Sequence, residues 1–198
     1  MRRLVISYAP GPQSGGRAAA PGRLALVQAF LNTFWDLDPD PARRGRDVLA
    51  EPGGLAEWLR GRGLIGPGAT VSGADHARAV TVRDGLRALL AGHGDGDERV
   101  DALRGAARGL GAGVAIAGSG TVEPIPASAD VAGALGLVLA LIHEAQAAGV
   151  WGRMKLCAGH DCGWAFYDHS RNQASRWCSV RVCGSREKAR AYRARSRG

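Results

Sequence analysis

The sequence predicts an α+β protein of 198 residues. A mainly helical N-terminal domain with one small β-hairpin is followed by a cysteine-rich module built as a knuckle, a hairpin and a basic helix. Three observations predict this. Apolar side chains recur at helical spacing through much of residues 23–148. That period gives way to short β-like runs around residues 114–125. All four cysteines fall in the last 42 residues, as two C-x4-C pairs.

Taken in order, residues 1–22 read as a flexible N-terminal segment, rich in Gly, Ala and Pro from Gly11 onward. A first helix begins at Arg23, with Leu24, Val27, Phe30, Leu31 and Phe34 on one stripe, and the prolines and aspartates of Asp36–Pro41 end it. Leu55, Trp58, Leu59 and Leu64 suggest a short second helix closed by Gly63 and Gly66. Ser72 with Asp75 has the form of an N-cap with an acid at its third position. It opens a third helix striped by Ala79, Val82, Leu86, Leu89 and Leu90. A fourth helix is expected over Asp97–Leu110, then a hairpin of Val114–Ala117 and Val122–Ile125. Ser128 is expected to cap a long helix, Ala129–Ala148, with Gly149 at its C-terminal cap. The helical domain is drawn at residues 23–151 and the cysteine module at 152–198, with no flexible linker between them.

Charge is divided unevenly. Residues 151–198 carry eleven Arg or Lys against Asp161, Asp168 and Glu187, a net +8, while fifteen basic and fifteen acidic residues cancel in 1–150. The whole excess therefore sits with the cysteines and calls for an acidic partner. The longest apolar run, Val131–Ile142, is well short of the ~20 residues that span a bilayer, and the N-terminus lacks a convincing secretory signal. A cytoplasmic protein with no membrane partner is expected. In that reducing compartment paired cysteines point to metal rather than disulfides.

Cys157, Cys162, Cys178 and Cys183 are thus the expected ligands of a structural Zn2+, drawn from two short loops. Gly159 is available for a tight turn, and Lys155, Arg176 and Arg181 lie near enough in sequence to offset thiolate charge. A module of about 45 residues has too small a core to fold without such a staple. The competing readings are free cysteines, disulfides or a redox switch, and a ligand role for His160 or His169. Beyond Gly184, Arg186, Arg190, Arg193 and Arg197 fall along one helical stripe flanked by Lys188 and Arg195. Ala189 and Tyr192 form an apolar strip expected to rest on Trp164 or Phe166. Such a face suits nucleic acid, and the alternative is a solvated basic tail.

These residues resemble the CGNR zinc-finger family of bacterial proteins regarded as transcription regulators. The likeness runs through Cys157, Cys162, Phe166, Asp168, Ser170-Arg171-Asn172, Arg176-Trp177-Cys178-Ser179 and Cys183-Gly184-Ser185-Arg186, then Lys188, Arg190, Tyr192 and Arg193. Ser185 stands where the family's naming motif has Asn. Members often carry an N-terminal domain called ABATE, associated with stress-induced regulators, and Asn32-Thr33 and Leu55-Ala-Glu-Trp-Leu59 resemble its pattern. The resemblance implies a zinc-stabilised, DNA-binding regulator. Arg171, Arg176, Ser185, Arg186, Lys188, Arg190, Arg193 and Arg197 would face nucleic acid, most simply double-stranded DNA. The N-terminal domain would receive a small-molecule effector or form a homodimer. Asn32 itself is expected to be a cap or a buried, satisfied polar group. An RNA- or ribosome-associated module and a thiol–zinc redox or ligand sensor are the alternatives. No phosphate loop, nucleophile elbow or metal-spaced histidines favour an enzyme.

Overall fold

The computed structural model describes residues 5–11, 13–35 and 45–196. The expected turn at Asp36–Pro41 and the stripe residue Arg197 lie outside them. Among the described residues, six α-helices and three antiparallel two-stranded sheets make up the α+β fold: α1 Leu24–Leu31, β1 Phe34–Trp35, β2 Arg46–Asp47, α2 Pro52–Arg60, α3 Gly73–Leu90, α4 Glu98–Ala107, β3 Ala112–Ile116, β4 Val122–Pro126, α5 Val131–Ala147, β5 Met154–Leu156, β6 Ala165–Tyr167 and α6 Ser185–Arg195. The main core lies among α1, α2, α3 and α5, where Leu26, Phe30, Leu55, Val82, Leu135 and Leu137 are fully or nearly fully enclosed.

Local chemistry explains the starts and stops. At α3 the Ser72 hydroxyl accepts from the Asp75 amide at 3.1 Å while the Asp75 carboxylate accepts from the Ser72 amide at 3.0 Å, satisfying two otherwise orphaned donors. At α5 the cap is Asp130, which accepts from the Gly133 amide at 2.9 Å. Ser128, expected in that role, instead donates its hydroxyl to Asp130 at 2.6 Å. The carboxylate is the stronger acceptor and displaces serine by two residues.

Helix α1 is shorter than its apolar stripe. Phe34 leaves the helix to form β1, paired with β2 through Phe34↔Asp47 and Trp35↔Arg46. Two buried arginines of α3 hold this turn. Arg83 grips Asp47 with two bonds of 2.5 and 2.9 Å, and Arg87 donates to the Leu31 and Phe34 carbonyls. Both guanidiniums lie over the Phe34 ring.

Strand β6 joins the two parts of the molecule. Side chains alternate across a strand, so Ala165 and Tyr167 enter the main core with Met154 of β5, whereas Trp164 and Phe166 enter a second cluster around the cysteines. Asn32, at the end of α1, closes the β6 edge as another strand would. Its amide donates to the Ala165 carbonyl and its oxygen accepts from the Ala165 amide, both at 2.8 Å. Asn32 is thus a buried, satisfied polar group. Gln28 adds a bond to the same carbonyl at 3.1 Å.

Residues 14–19, part of the stretch that reads as flexible, lie against the cysteine module. Arg17 donates to the carbonyls of Cys178, Tyr167 and Trp177, with its guanidinium 4.6 Å from the Phe166 ring centroid. Gly15 has φ +62°, and a Cβ there would meet the Ser179 hydroxyl at 2.3 Å, so the close approach needs glycine.

Candidate metal centre and basic helix

The two C-x4-C loops are brought together by opposite neighbours in the chain. The first leaves β5 and returns into β6, so the Cys157 amide bonds to the Trp164 carbonyl at 2.9 Å. The second follows Arg176, whose carbonyl accepts from the Ala158 amide at 2.9 Å. It closes in a π-turn, Val180–Gly184, that runs directly into α6. Asp161 and Gly163 supply left-handed residues at φ 59° and 58°, which turn the first loop. Gly159, expected at a tight turn, serves by its size. A Cβ there would lie 3.1 Å from the Cys183 Cβ and 3.4 Å from the sulfurs of Cys157 and Cys183.

All four cysteines are buried, and their sulfurs lie within 4.8 Å of one another. The Cys162–Cys178 and Cys178–Cys183 separations are 3.7 Å and Cys162–Cys183 is 3.6 Å. A tetrahedral ion with Zn–S bonds of ~2.3 Å would set its ligands ~3.8 Å apart, and a disulfide would need ~2.05 Å. The spacing therefore fits a shared metal and no bonded pair. Amides of Gly159 and Cys178 donate to the Cys157 sulfur at 3.4 and 3.3 Å. The Cys162 and Cys178 side chains, aided by those bonds, hold the Cys157 thiol well below its ordinary value. The Cys162 and Cys178 thiols are pushed up, chiefly by the neighbouring sulfurs, and burial lifts Cys183 to about 12. Four thiolates gathered in so buried a cluster require a cation in place of their protons. Zinc would be held by these four residues, and four protein ligands leave no open coordination position for chemistry.

Asp168, read from the sequence only as part of the family likeness, organises the loop between the cysteine pairs. Fully buried, it accepts from the Ser170 amide and hydroxyl, the Ser175 amide and hydroxyl, and Lys155 Nζ at 2.9 Å. Burial acts to raise its pKa, but the bonds from Ser170, Lys155 and Ser175 outweigh it and hold the carboxyl far below the usual carboxylate range. Lys155 is therefore committed to Asp168. Arg176, also expected to offset thiolate charge, lies over the Trp177 ring at 5.7 Å. The histidines have other partners: His160 pairs with Asp161, and His169 meets the Ala19 carbonyl at 2.9 Å.

Helix α6 buries none of its residues. The apolar strip of Ala189 and Tyr192 does not rest on Trp164 or Phe166. Tyr192 is 66% exposed, because α6 projects from the π-turn instead of folding back over the hairpin. Its single acid, Glu187, accepts from the His160 amide at 3.0 Å and ties the first turn of α6 to the first loop. Arg186, Lys188, Arg190 and Arg193 are left exposed, as are Arg171, Arg176 and Ser185 nearer the metal loops. Ser185 turns its hydroxyl back to the Val180 carbonyl at 3.3 Å.

Among the described residues, no helix is long and apolar enough to cross a membrane. Residues 24–152 match the family model ABATE, described as "Putative stress-induced transcription regulator", and residues 153–196 match the CGNR zinc finger. No protein of curated function matches the chain.

Proposed function

This chain belongs to the ABATE family and ends in a CGNR zinc finger, and from that premise we propose that it is a zinc-stabilised regulator that binds double-stranded DNA. The observation that carries the reading is the unburied α6 rising directly from the four-sulfur cluster, with its one acid turned inward to His160. Eleven helical residues make a rod about 16 Å long, and a major groove ~12 Å wide admits such a rod. The metal's part is to hold the loops that aim α6. Neither matched family is described as an enzyme family, and the closed ligand set supports a binding role.

The test uses the zinc-loaded full chain with matched DNA and RNA duplexes over a salt series. DNA should bind more tightly, with log K falling steeply against log salt as phosphate counterions are released. The double variant Arg190→Ala/Arg193→Ala should lower that slope by about 2. Tighter RNA binding at every salt, or a slope untouched by the double variant, would overturn the reading.

A further inference from the structure

A cavity of about 310 Å³ lies where the N-terminal domain meets the zinc module, at the low end of the ~300–1,000 Å³ usual for small-molecule sites. Its walls include Trp35, Trp58, Val48 and Trp164, with Arg46 and Arg62 as the charged members. Three of the chain's five tryptophans therefore line one space. Trp35 and Trp164 meet edge to face at 5.8 Å, and the Arg62 guanidinium lies 4.1 Å over Trp58.

The hydrogen-bonding inventory of this space is one-sided. Among the described residues, the indole N–H groups of Trp35 and Trp164 and the Nε–H of Arg62 are buried without an acceptor. Trp164 is 8% exposed. Among the described residues no acidic side chain lines the cavity, and the lining polar side chains of Asn32 and Thr33 are spent on the Ala165 backbone and the Phe30 carbonyl. Burial pushes the Arg62 guanidinium below its ordinary value, and no described carboxylate pairs with it. Buried donors without acceptors are uncommon in folded proteins, and a half-buried cation is stabilised by an anion beside it.

We propose that this cavity binds a small aromatic carboxylate. The flat body would lie among the three indoles and Val48, and the carboxylate would accept from the Trp35 and Trp164 N–H groups and from Arg62. Inorganic phosphate lacks the apolar body that these walls would cover, and a neutral arene leaves the donors unserved. The ligand would touch both parts of the molecule, since Trp164 belongs to the cysteine cluster and immediately precedes Ala165 of β6.

The test is calorimetric titration of the zinc-loaded full chain with benzoate, salicylate and 1-naphthoate, with their primary amides as uncharged controls, and tryptophan fluorescence as a second readout. At least one carboxylate should bind with one-to-one stoichiometry, and its amide roughly ten-fold more weakly or worse. Arg62→Gln should lose about ten-fold in affinity and Trp164→Phe, which keeps a ring but no N–H, about three-fold or more. Zinc content and melting temperature are measured on both variants, so either one alone suffices if the other fails to fold. Absence of saturable binding by all three carboxylates, equal binding of acids and amides, or unchanged affinity in folded variants would overturn the proposal. No nucleic acid enters the assay, so its failure and that of the DNA reading are distinguishable.

Discussion

Among the described residues, 28 buried side chains form the main core, three of them (Met154, Ala165 and Tyr167) contributed by the cysteine module, whereas the cysteine cluster gathers six, four of them the cysteines themselves. The first region can be stabilised by removal of apolar area from water. The second cannot, and it uses three other devices: a set of sulfurs spaced for a metal, the buried Asp168 hub, and surface lent by its neighbour through Asn32, Gln28 and Arg17. A small module need not carry its own core if one face of its strand can enter a larger one. Metal and docking then have separate jobs. A metal bound by the four cysteines would hold the loops and α6, and the docking holds β5 and β6.

Substitutions that remove one device at a time can break that division. The largest effect is expected from Cys178→Ser, because structural zinc contributes on the order of 10 kcal/mol to the fold it organises. Metal content should fall from one equivalent to near zero, while calorimetry still records the cooperative melting of the helical domain. Loss of both transitions together would mean that the regions are one unit. Asp168→Ala comes next, at about 3 kcal/mol, because it leaves the amides and hydroxyls of Ser170 and Ser175 without their acceptor. The depressed pKa of Asp168 gives a pH test as well. Its contribution is complete above the ordinary aspartate value of ~4 and is lost as pH falls below that value toward the lower folded pKa. Asp168→Asn should therefore flatten the acid limb of a stability–pH curve.

Asn32→Ala should cost about 2–3 kcal/mol, since the Ala165 amide is left buried without a partner. Zinc content should be unchanged, which separates docking from metal binding. The smallest effect on stability belongs to Arg190→Ala, within about 0.5 kcal/mol by thermal melting, although the salt slope of DNA binding should drop by about 1. A large loss of melting temperature there would show that α6 packs on something.

Features encoded by close neighbours were legible in the sequence. The cysteine pairs, the Ser72–Asp75 cap and the hairpin, expected over Val114–Ala117 and Val122–Ile125 and found over Ala112–Ile116 and Val122–Pro126, each lie within a short stretch of chain. The features that were missed depend on distant partners. Phe34 continues the helical stripe of α1, and only Arg83 and Asp47, 36 residues apart, reveal that it belongs to a strand. Arg17 gave no signal, because its acceptors are backbone carbonyls more than 140 residues away. The tryptophans of the cavity stand at 35, 58 and 164, each plausible alone as core. Ala189 and Tyr192 misled for the opposite reason: amphipathic spacing shows that a helix has an apolar strip, not that anything covers it.

The division of labour is tested most directly by amide hydrogen exchange on the full chain before and after chelation of its metal. Chelation should abolish protection across the π-turn and α6, residues 180–195, while Met154–Leu156 and Ala165–Tyr167 stay protected in the shared core. Simultaneous loss of protection across residues 153–196, or full protection of 180–195 without metal, would contradict it.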